Sequence, residues 1–274
     1  MSQICGWYGI SRQSHYQMAR RRSEGQEQAV VVLELVQAIR QRHPRMGGRK
    51  LHHEVSPQLE ALGIPLGRDR FFDLLASYDL LVAPLRQQQR TTWAGIWRCP
   101  NHLIDLTIQQ VNQVWVGDIT YIQTENGFYY LALLTDAFSR CIVGYDLSPS
   151  LVALGAMRAL KMATTQARSS LRGLIHHSDH GIQYTCHEYR DRLESQQMVS
   201  SMGAVGNCYD NALAERVNGI LKLEYGLGGV LRDLTHAQHL TDEAVWLYNH
   251  ERPHLALNYQ KPIQVHRNGL QQHS

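Results

Sequence analysis

Three strand-like segments follow one another between residues 114 and 147, and they restrict the possible folds more than any other feature of the chain. Val114 to Gln123 and Phe128 to Thr135 are rich in β-branched and aromatic residues. The Asn126-Gly127 dipeptide between them is a strong signal for a two-residue hairpin turn. Cys141 to Leu147 is a third segment of the same kind, so the sequence predicts an antiparallel meander.

Helices and strands alternate after the meander. The expected order is a helix from Pro149 to about Ala167, a strand at Leu174 to His177, a helix from His187, a strand at Met198 to Met202, and helices from Asn211 and Leu234. A meander followed by such an alternation is typical of a mixed α/β sheet of the ribonuclease H type.

The first 86 residues have the pattern of a small all-α region. Helices are predicted over Gln28 to Arg40, Lys50 to Leu62 and Arg68 to Leu81, with glycine- and proline-containing turns between them. A helix-turn-helix unit places the first residues of its second helix at base edges in the major groove of DNA, which nominates Arg68 and Arg70. Other small helical domains have similar spacing, so a purely structural role stays open.

Charge is distributed unevenly along the chain. Residues 1 to 100 hold 14 lysines and arginines against 8 acids, whereas residues 101 to 274 hold 13 against 16. A basic first part, to which Arg49 and Lys50 contribute, suits a polyanion such as nucleic acid, and an acidic remainder can hold cations. Ordinary solvated surface charge is the alternative interpretation.

Residues 87 to 108 separate the two patterns, since Gln87 to Pro100 is polar and without a hydrophobic period. We therefore predict a helix-turn-helix-like DNA-binding region at 1–86, a linker at 87–108 and an α/β core with a C-terminal helix at 109–274.

Several protein classes are disfavoured by composition. No apolar run approaches the roughly 18 residues needed to cross a bilayer, and no signal peptide is recognisable, so we expect no membrane partner and a cytoplasmic location. The five cysteines are spread singly, which argues against a disulfide framework and against a zinc ribbon.

Three acids stand where such a sheet would bring them together. Asp118 lies inside an apolar strand, where an unpartnered charge costs several kcal/mol. Asp179 follows the strand ending at His177, at the sheet edge where ligands collect. Glu215 lies on the helix from Asn211.

The helix that carries Glu215 has a polar stripe. At about 100° per residue, Asn211, Glu215, Asn218 and Lys222 fall on one side of it, opposite an apolar side. Lys222 is then placed to meet a phosphate while Glu215 meets a metal ion, and Asn211 and Asn218 on the same stripe are predicted to contact DNA. An ordinary amphipathic surface helix is the alternative interpretation.

Three converging carboxylates repel one another, and one or two hard divalent cations, typically Mg²⁺, relieve that repulsion. Two ions about 4 Å apart activate a water or a 3′ hydroxyl in phosphodiester chemistry and stabilise the leaving oxygen. Such a site uses no covalent protein nucleophile.

The spacing of the three acids and the sequence motifs around them resemble those of a known family. Sixty residues separate Asp118 from Asp179, and thirty-five separate Asp179 from Glu215. The motifs are Val114 to Ile122 (VWVGDITYI), His177 to Tyr184 (HSDHGIQY), Gly206 to Ala212 (GNCYDNA) and Tyr248 to His254 (YNHERPH). Together they resemble the DDE core of retroviral integrases and the second-reading-frame transposases of insertion-sequence family three.

The resemblance implies an RNase H-like integrase catalytic core in which Asp118, Asp179 and Glu215 hold two Mg²⁺ or Mn²⁺ ions. It implies that Lys222 lies near the DNA end and that the partners are the terminal inverted repeats and target DNA. It also implies a homo-oligomer in the active complex and a first-reading-frame partner or frameshift fusion. Two positions depart from the family pattern: His180 replaces a frequent arginine, and Asn258 a common glycine.

The favoured hypothesis is a DNA transposase that cuts and transfers strands. A catalytically silent DNA-binding regulator derived from a transposase is the alternative, which a metal titration would distinguish. A metal-dependent ribonuclease on the same fold is a third hypothesis, which an RNA:DNA hybrid substrate would test.

Overall fold

The computed structural model describes residues 12–82, 99–150, 153–167, 170–203 and 212–271, and within its first helix the side chains of 12, 14–16 and 18–27 are left undescribed. The chain divides into two compact units, Met1–Ala83 and Pro84–Ser274. Each unit is built around its own buried apolar side chains.

The first unit contains three helices: α1 (Arg12–Arg42), α2 (Gly48–Ala61) and α3 (Arg68–Ser77). All three predicted helices are present, although α1 begins earlier and α3 ends earlier than the hydrophobic period indicates. Their apolar stripes meet in one core, formed by Val32, Val36, Met46, Leu51, Val55, Leu59, Phe71 and Leu75. A Cβ at Gly48 would lie 2.9 Å from the ring of Phe72, so α2 and α3 approach closely because residue 48 is glycine.

The second unit is a mixed sheet. Its strands are β1 (Val114–Thr124), β2 (Gly127–Asp136), β3 (Ile142–Ser148), β4 (Ile175–Ser178), β5 (Val199–Met202) and β6 (Val230–Leu231). The strand order is β3-β2-β1-β4-β5, and β6 pairs with β1. The predicted meander is present as β1 to β3, all antiparallel, whereas β4 and β6 run parallel to β1. Sequence reasoning missed β6, because two residues are too few to show a period.

Helices cover both faces of this sheet. They are α4 (Ala153–Gln166), α5 (Ile182–Thr185), α6 (His187–Ser195), α7 (Ala212–Glu224), α8 (Leu234–His250) and α9 (Pro262–Gln271). Alternation along β1 sends Trp115 to the side of α4 and α6, and Ile122 to the side of α7 and α8. A Cβ at Gly144 would lie 2.2 Å from the carbonyl oxygen of Ala159, so only glycine lets α4 lie this close to β3.

Residues of the Tyr248 to His254 motif, at the end of α8, make hydrogen bonds to β3 and an ion pair with α7. Asn249 accepts a hydrogen bond from the Ile142 N–H and donates one to the Ile142 carbonyl, both at 2.9 Å, so its amide pairs with the edge of β3 as a further strand would. Arg252 is 2% exposed and makes a bidentate ion pair with Glu224 at 2.7 and 2.8 Å. Because Glu224 ends α7, this pair fixes the helix that carries Glu215.

Asn258 adopts a left-handed conformation, with φ at 50°. Asparagine tolerates this region better than most residues, although less well than glycine. The departure from the family's glycine therefore leaves the turn intact. Among the helices of the described ranges, none combines the length and the apolarity needed to span a bilayer.

Candidate active site

Strand pairing brings Asp118 and Asp179 side by side. Gly117 on β1 pairs in parallel with Ser178 on β4, so the next residue of each strand is an aspartate. Asp118 is half-buried, and this burial, reinforced by the charge of Asp179, raises its pKa to about 7. The strand register thus places two carboxylates at one point of the sheet, as the sequence predicted.

Glu215 reaches the same region from α7. It lies in the first turn of this helix, which packs against β1, and its side chain is exposed. Its charge also raises the pKa of Asp118, although less than burial and Asp179 do. The three acids therefore share one electrostatic environment.

The three carboxylates do not lie close enough together to enclose a metal ion. Within the described part of the chain, no three histidine, cysteine or acidic side chains lie close enough to hold a metal ion between them. The assignment of the three acids as metal ligands stays a prediction. The side chains here nevertheless offer carboxylate oxygens, which are the ligands that a hard divalent cation prefers. Such a cation would also stabilise the charged form of Asp118, which its surroundings disfavour.

Asn218 lies between α7 and Asp118. Its Nδ2 donates to Asp118 Oδ2 at 2.6 Å, and its Oδ1 is buried without a hydrogen-bond partner in the described structure. The sequence predicted an exposed, DNA-contacting residue here, but Asn218 is 7% exposed. The helical period correctly placed Asn218 on the same side of α7 as Glu215 and Lys222. The packing of α7 against β1 buries Asn218, which the period alone does not show.

Lys222 lies about one turn beyond Asn218 on the same side of α7. Its Nζ is 4.2 Å from the ring centroid of Tyr121. Burial lowers the pKa of Lys222, while the negative charge of Asp118 raises it. Lys222 is thus coupled to the acids, as the spacing suggested. Tyr121 was missed, since nothing in a strand pattern shows which aromatic meets a distant lysine. Asn211, the remaining stripe residue, lies outside the described residues.

The turn after Asp179 is shaped by glycine. The Gly181 N–H donates to Asp179 Oδ1 at 3.0 Å. A Cβ at residue 181 would lie 2.9 Å from Asp179 Oδ1 and 2.7 Å from Gln183 Oε1, so a larger residue would displace the acid. His180 Nε2 donates to the Gly203 carbonyl at 2.6 Å and so joins the segments that follow β4 and β5.

A buried aromatic layer supports the two aspartates. His176 is buried, and its pKa is lowered to about 3 by burial and then by His177. Its Nε2 shares a hydrogen bond of 2.9 Å with the Tyr189 hydroxyl. Tyr184 packs on both rings, and its pKa is raised by burial, then by Tyr189 and by the two aspartates. His176 and His177 are both buried, and Tyr184 is a neighbour of the acids that sequence reasoning missed.

The predicted DNA-binding residues of the first unit lie in the first turns of two helices. Arg49 and Lys50 open α2, and Arg68 and Arg70 open α3. Arg49, Arg68 and Arg70 are exposed, and Arg68 makes an exposed ion pair of 3.0 Å with Asp69. Their exposure leaves them accessible to a ligand, and their role stays a prediction.

Comparison with known proteins identifies the class. An Integrase core domain model matches residues 108–208, and a second Integrase core domain model matches 196–262. The 31 kDa protein of insertion element IS600 from Shigella sonnei is 35% identical over 81% of each chain. Transposase InsF of insertion sequence IS3A from Escherichia coli is 42% identical over 41% of this chain and 39% of its own length.

Among solved structures, the HTLV-2 integrase catalytic core domain in complex with magnesium has a TM-score of 0.46 and 20% identity, covering 57% of this chain and 96% of that one. The second unit is an integrase catalytic core of the ribonuclease H type. The chain belongs to the DDE transposases of insertion-sequence family three, which are polynucleotidyl transferases acting on DNA. None of the similar proteins named above supports the ribonuclease or the silent-regulator hypothesis.

Proposed function

We propose that Asp118, Asp179 and Glu215 are the catalytic acids with which this transposase cuts and joins DNA at the ends of its element. One observation carries the assignment: Asp118 is half-buried in an otherwise apolar strand, and its pKa is raised by burial, by the neighbouring Asp179 and by Glu215. A fold maintains a partly buried carboxylate of this kind, at a cost in stability, where a ligand needs it.

Two divalent cations, Mg²⁺ or Mn²⁺, would be held by these three carboxylates and would supply an activated attacking oxygen and charge stabilisation at the scissile phosphate. The buried Asn218 Oδ1 is a further oxygen beside Asp118 that has no partner of its own. The residues present thus fit hard cations.

The remaining side chains orient the acids and the strand. Asn218 donates to one Asp118 oxygen and so restricts the orientation of this carboxylate. The Gly181 N–H holds Asp179 in the same way. Lys222, cationic and close to Asp118, would bind a phosphate next to the one that reacts. Catalysis then depends on placing the substrate rather than on a protein nucleophile.

The overall reaction has two steps. In the first, a water oxygen bonds to phosphorus at the element end and the 3′ oxygen leaves with a proton. In the second, this 3′ hydroxyl attacks a phosphodiester of target DNA and displaces another 3′ oxygen. Each step exchanges one phosphorus–oxygen bond for another.

The partners proposed are the terminal inverted repeats and target DNA, with Arg49, Lys50, Arg68 and Arg70 as contacts of the first unit. Two ends must be held together in transposition, so the active form would be a homo-oligomer, with the first-reading-frame product as partner or fusion. The protein would act in the cytoplasm, at the nucleoid.

A nicking and strand-transfer assay on labelled duplexes carrying the element's end tests the proposal. We expect Mg²⁺-dependent products from the wild type and none from Glu215→Gln, which should still bind DNA. Glu188→Gln is the matched control, because Glu188 is an exposed glutamate in the first turn of α6. Full activity of Glu215→Gln would refute the assignment.

A further inference from the structure

An aromatic pair projects from the hairpin that joins β1 and β2. The rings of Tyr121 and Phe128 meet edge to face, with centroids 5.6 Å apart and planes at 83°. Their cross-strand neighbours, Tyr130 and Gln123, show that both rings leave the same face of the sheet. Phe128 is 53% exposed, at the hairpin end of β2, and burial increases along this strand away from the hairpin.

A cation accompanies this pair. Lys222 Nζ is 4.2 Å from the Tyr121 ring centroid, inside the range of a cation–π contact. Burial disfavours the charged form of Lys222, so a nearby anion would stabilise that form. Aromatic rings beside a cation are the combination that binds unpaired nucleotides, because bases stack on the rings while the cation meets the backbone.

The pair lies next to the acids. Tyr121 is three residues beyond Asp118 on β1, which corresponds to about 10 Å along the strand. Alternation along β1 sends the side chains of Asp118 and Tyr121 to opposite faces of the sheet. Lys222 nevertheless links the two places, since it contacts the Tyr121 ring and also interacts with the charge of Asp118. A strand bound at the acids therefore has its flanking nucleotides within reach of the hairpin.

We propose that Tyr121 and Phe128 form a stacking platform for unpaired bases of the DNA strand held at the active site, with Lys222 on the adjoining phosphate. This inference rests on the proposed function, because it takes the acids as the site of strand cleavage. The platform would hold bases separated from their complement at the element end.

The test measures binding in a metal-free buffer, so that no cleavage occurs. The probes are a thymidine oligonucleotide of about twelve nucleotides with one central 2-aminopurine, and an oligonucleotide of equal length with abasic sites. We expect the wild type to quench 2-aminopurine fluorescence and to bind the abasic probe about tenfold more weakly, as expected for one or two lost stacking contacts.

Phe128→Ser should remove both the quenching and most of the preference for the base-bearing probe, and Phe128→Trp should restore them. Leu154→Ser is the matched control, since Leu154 is also a large exposed apolar residue, 58% exposed, on α4. It should behave as the wild type on both probes.

Three results for Phe128→Ser would overturn the platform. The first is unchanged quenching, and the second is an equal loss of affinity for the base-bearing and the abasic probe. The third is unchanged quenching together with loss, in sedimentation, of a dimer that the wild type forms. The last would mean that the pair contacts a second copy of the chain. The binding readout is independent of the Glu215→Gln assay. Cleavage by Glu215→Gln would refute the proposed function alone, and normal cleavage chemistry without base stacking would refute the platform alone.

Discussion

Asn218 Nδ2 lies 2.6 Å from Asp118 Oδ2, and this hydrogen bond joins helix α7 to the central strand at the acid itself. The bond favours the ionised form of Asp118 and so lowers its pKa, against the larger opposing effect of burial. One amide thus couples the position of α7 to the protonation of Asp118.

Replacing Asn218 by leucine should move the acidic limb of the cleavage rate to higher pH. Leucine keeps the branch at Cγ and the number of side-chain heavy atoms, whereas the hydrogen bond that lowers the Asp118 pKa is lost. We expect about a tenfold lower rate at neutral pH, as for the loss of one hydrogen bond to a charged group. The measurement is the pH profile of nicking between pH 6 and pH 9. A lower rate with an unmoved limb would instead indicate a steric effect.

Asp118→Asn should stabilise the metal-free protein, and more so at pH 8 than at pH 5. The folded-state pKa of about 7 lies well above the ordinary pKa of an aspartate, so the folded state holds this proton more tightly than the unfolded state does. Stability is therefore lost as pH rises from about 4 to about 7, by as much as ~4 kcal/mol in total at 1.36 kcal/mol per pKa unit.

Thermal unfolding in EDTA at both pH values checks this. Asp105→Asn, at an exposed aspartate of the same unit, is the control and should change the melting temperature little at either pH. An equal effect of Asp118→Asn at pH 5 and pH 8 would contradict the raised pKa.

Mg²⁺ or Mn²⁺ should raise the melting temperature of the wild type at pH 8, because a cation bound only by the folded state stabilises it. The expected rise is several degrees at saturating metal, from about 2–4 °C per kcal/mol for a unit of this size. Glu215→Gln should reduce the rise and Asp118→Asn should abolish it. Equal rises in all three proteins would place the metal elsewhere.

Arg252→Met should destabilise the second unit by about 3–5 kcal/mol, because it removes one partner of a largely buried ion pair and leaves Glu224 uncompensated. Arg252→Met combined with Glu224→Met should be less destabilising than Arg252→Met alone. Arg232→Met is the matched control, since the Arg232–Asp233 pair at 3.1 Å is exposed and should contribute less than about 1 kcal/mol. Denaturant unfolding measures the wild type, Arg252→Met, Glu224→Met, the double variant and Arg232→Met. A double variant as unstable as the sum of two single variants would argue against coupling.

Much of the second unit was predictable from local pattern. The hairpin at Asn126-Gly127 and the three strands of the meander depend on neighbouring residues only, and the structure has them within one or two residues of the predicted bounds. The α7 stripe depends on helical period, which is equally local. The same holds for the three helices of the first unit, except at their ends, where capping and tertiary contacts set the last turn.

The sequence by itself determined which residues can form strands and helices, and which acids stand at strand ends or on a polar stripe, because these properties repeat over a few residues. Only the tertiary structure decided that Ser178 pairs with Gly117 and so brings Asp179 beside Asp118, that Asn218 is buried, and that Lys222 lies over Tyr121. Those relationships join residues far apart in the chain. The first arises from the pairing of β4 with β1, and the other two arise from the docking of α7 on the sheet. The physical reason is that packing and burial depend on partners brought together by the whole fold, which no local period encodes.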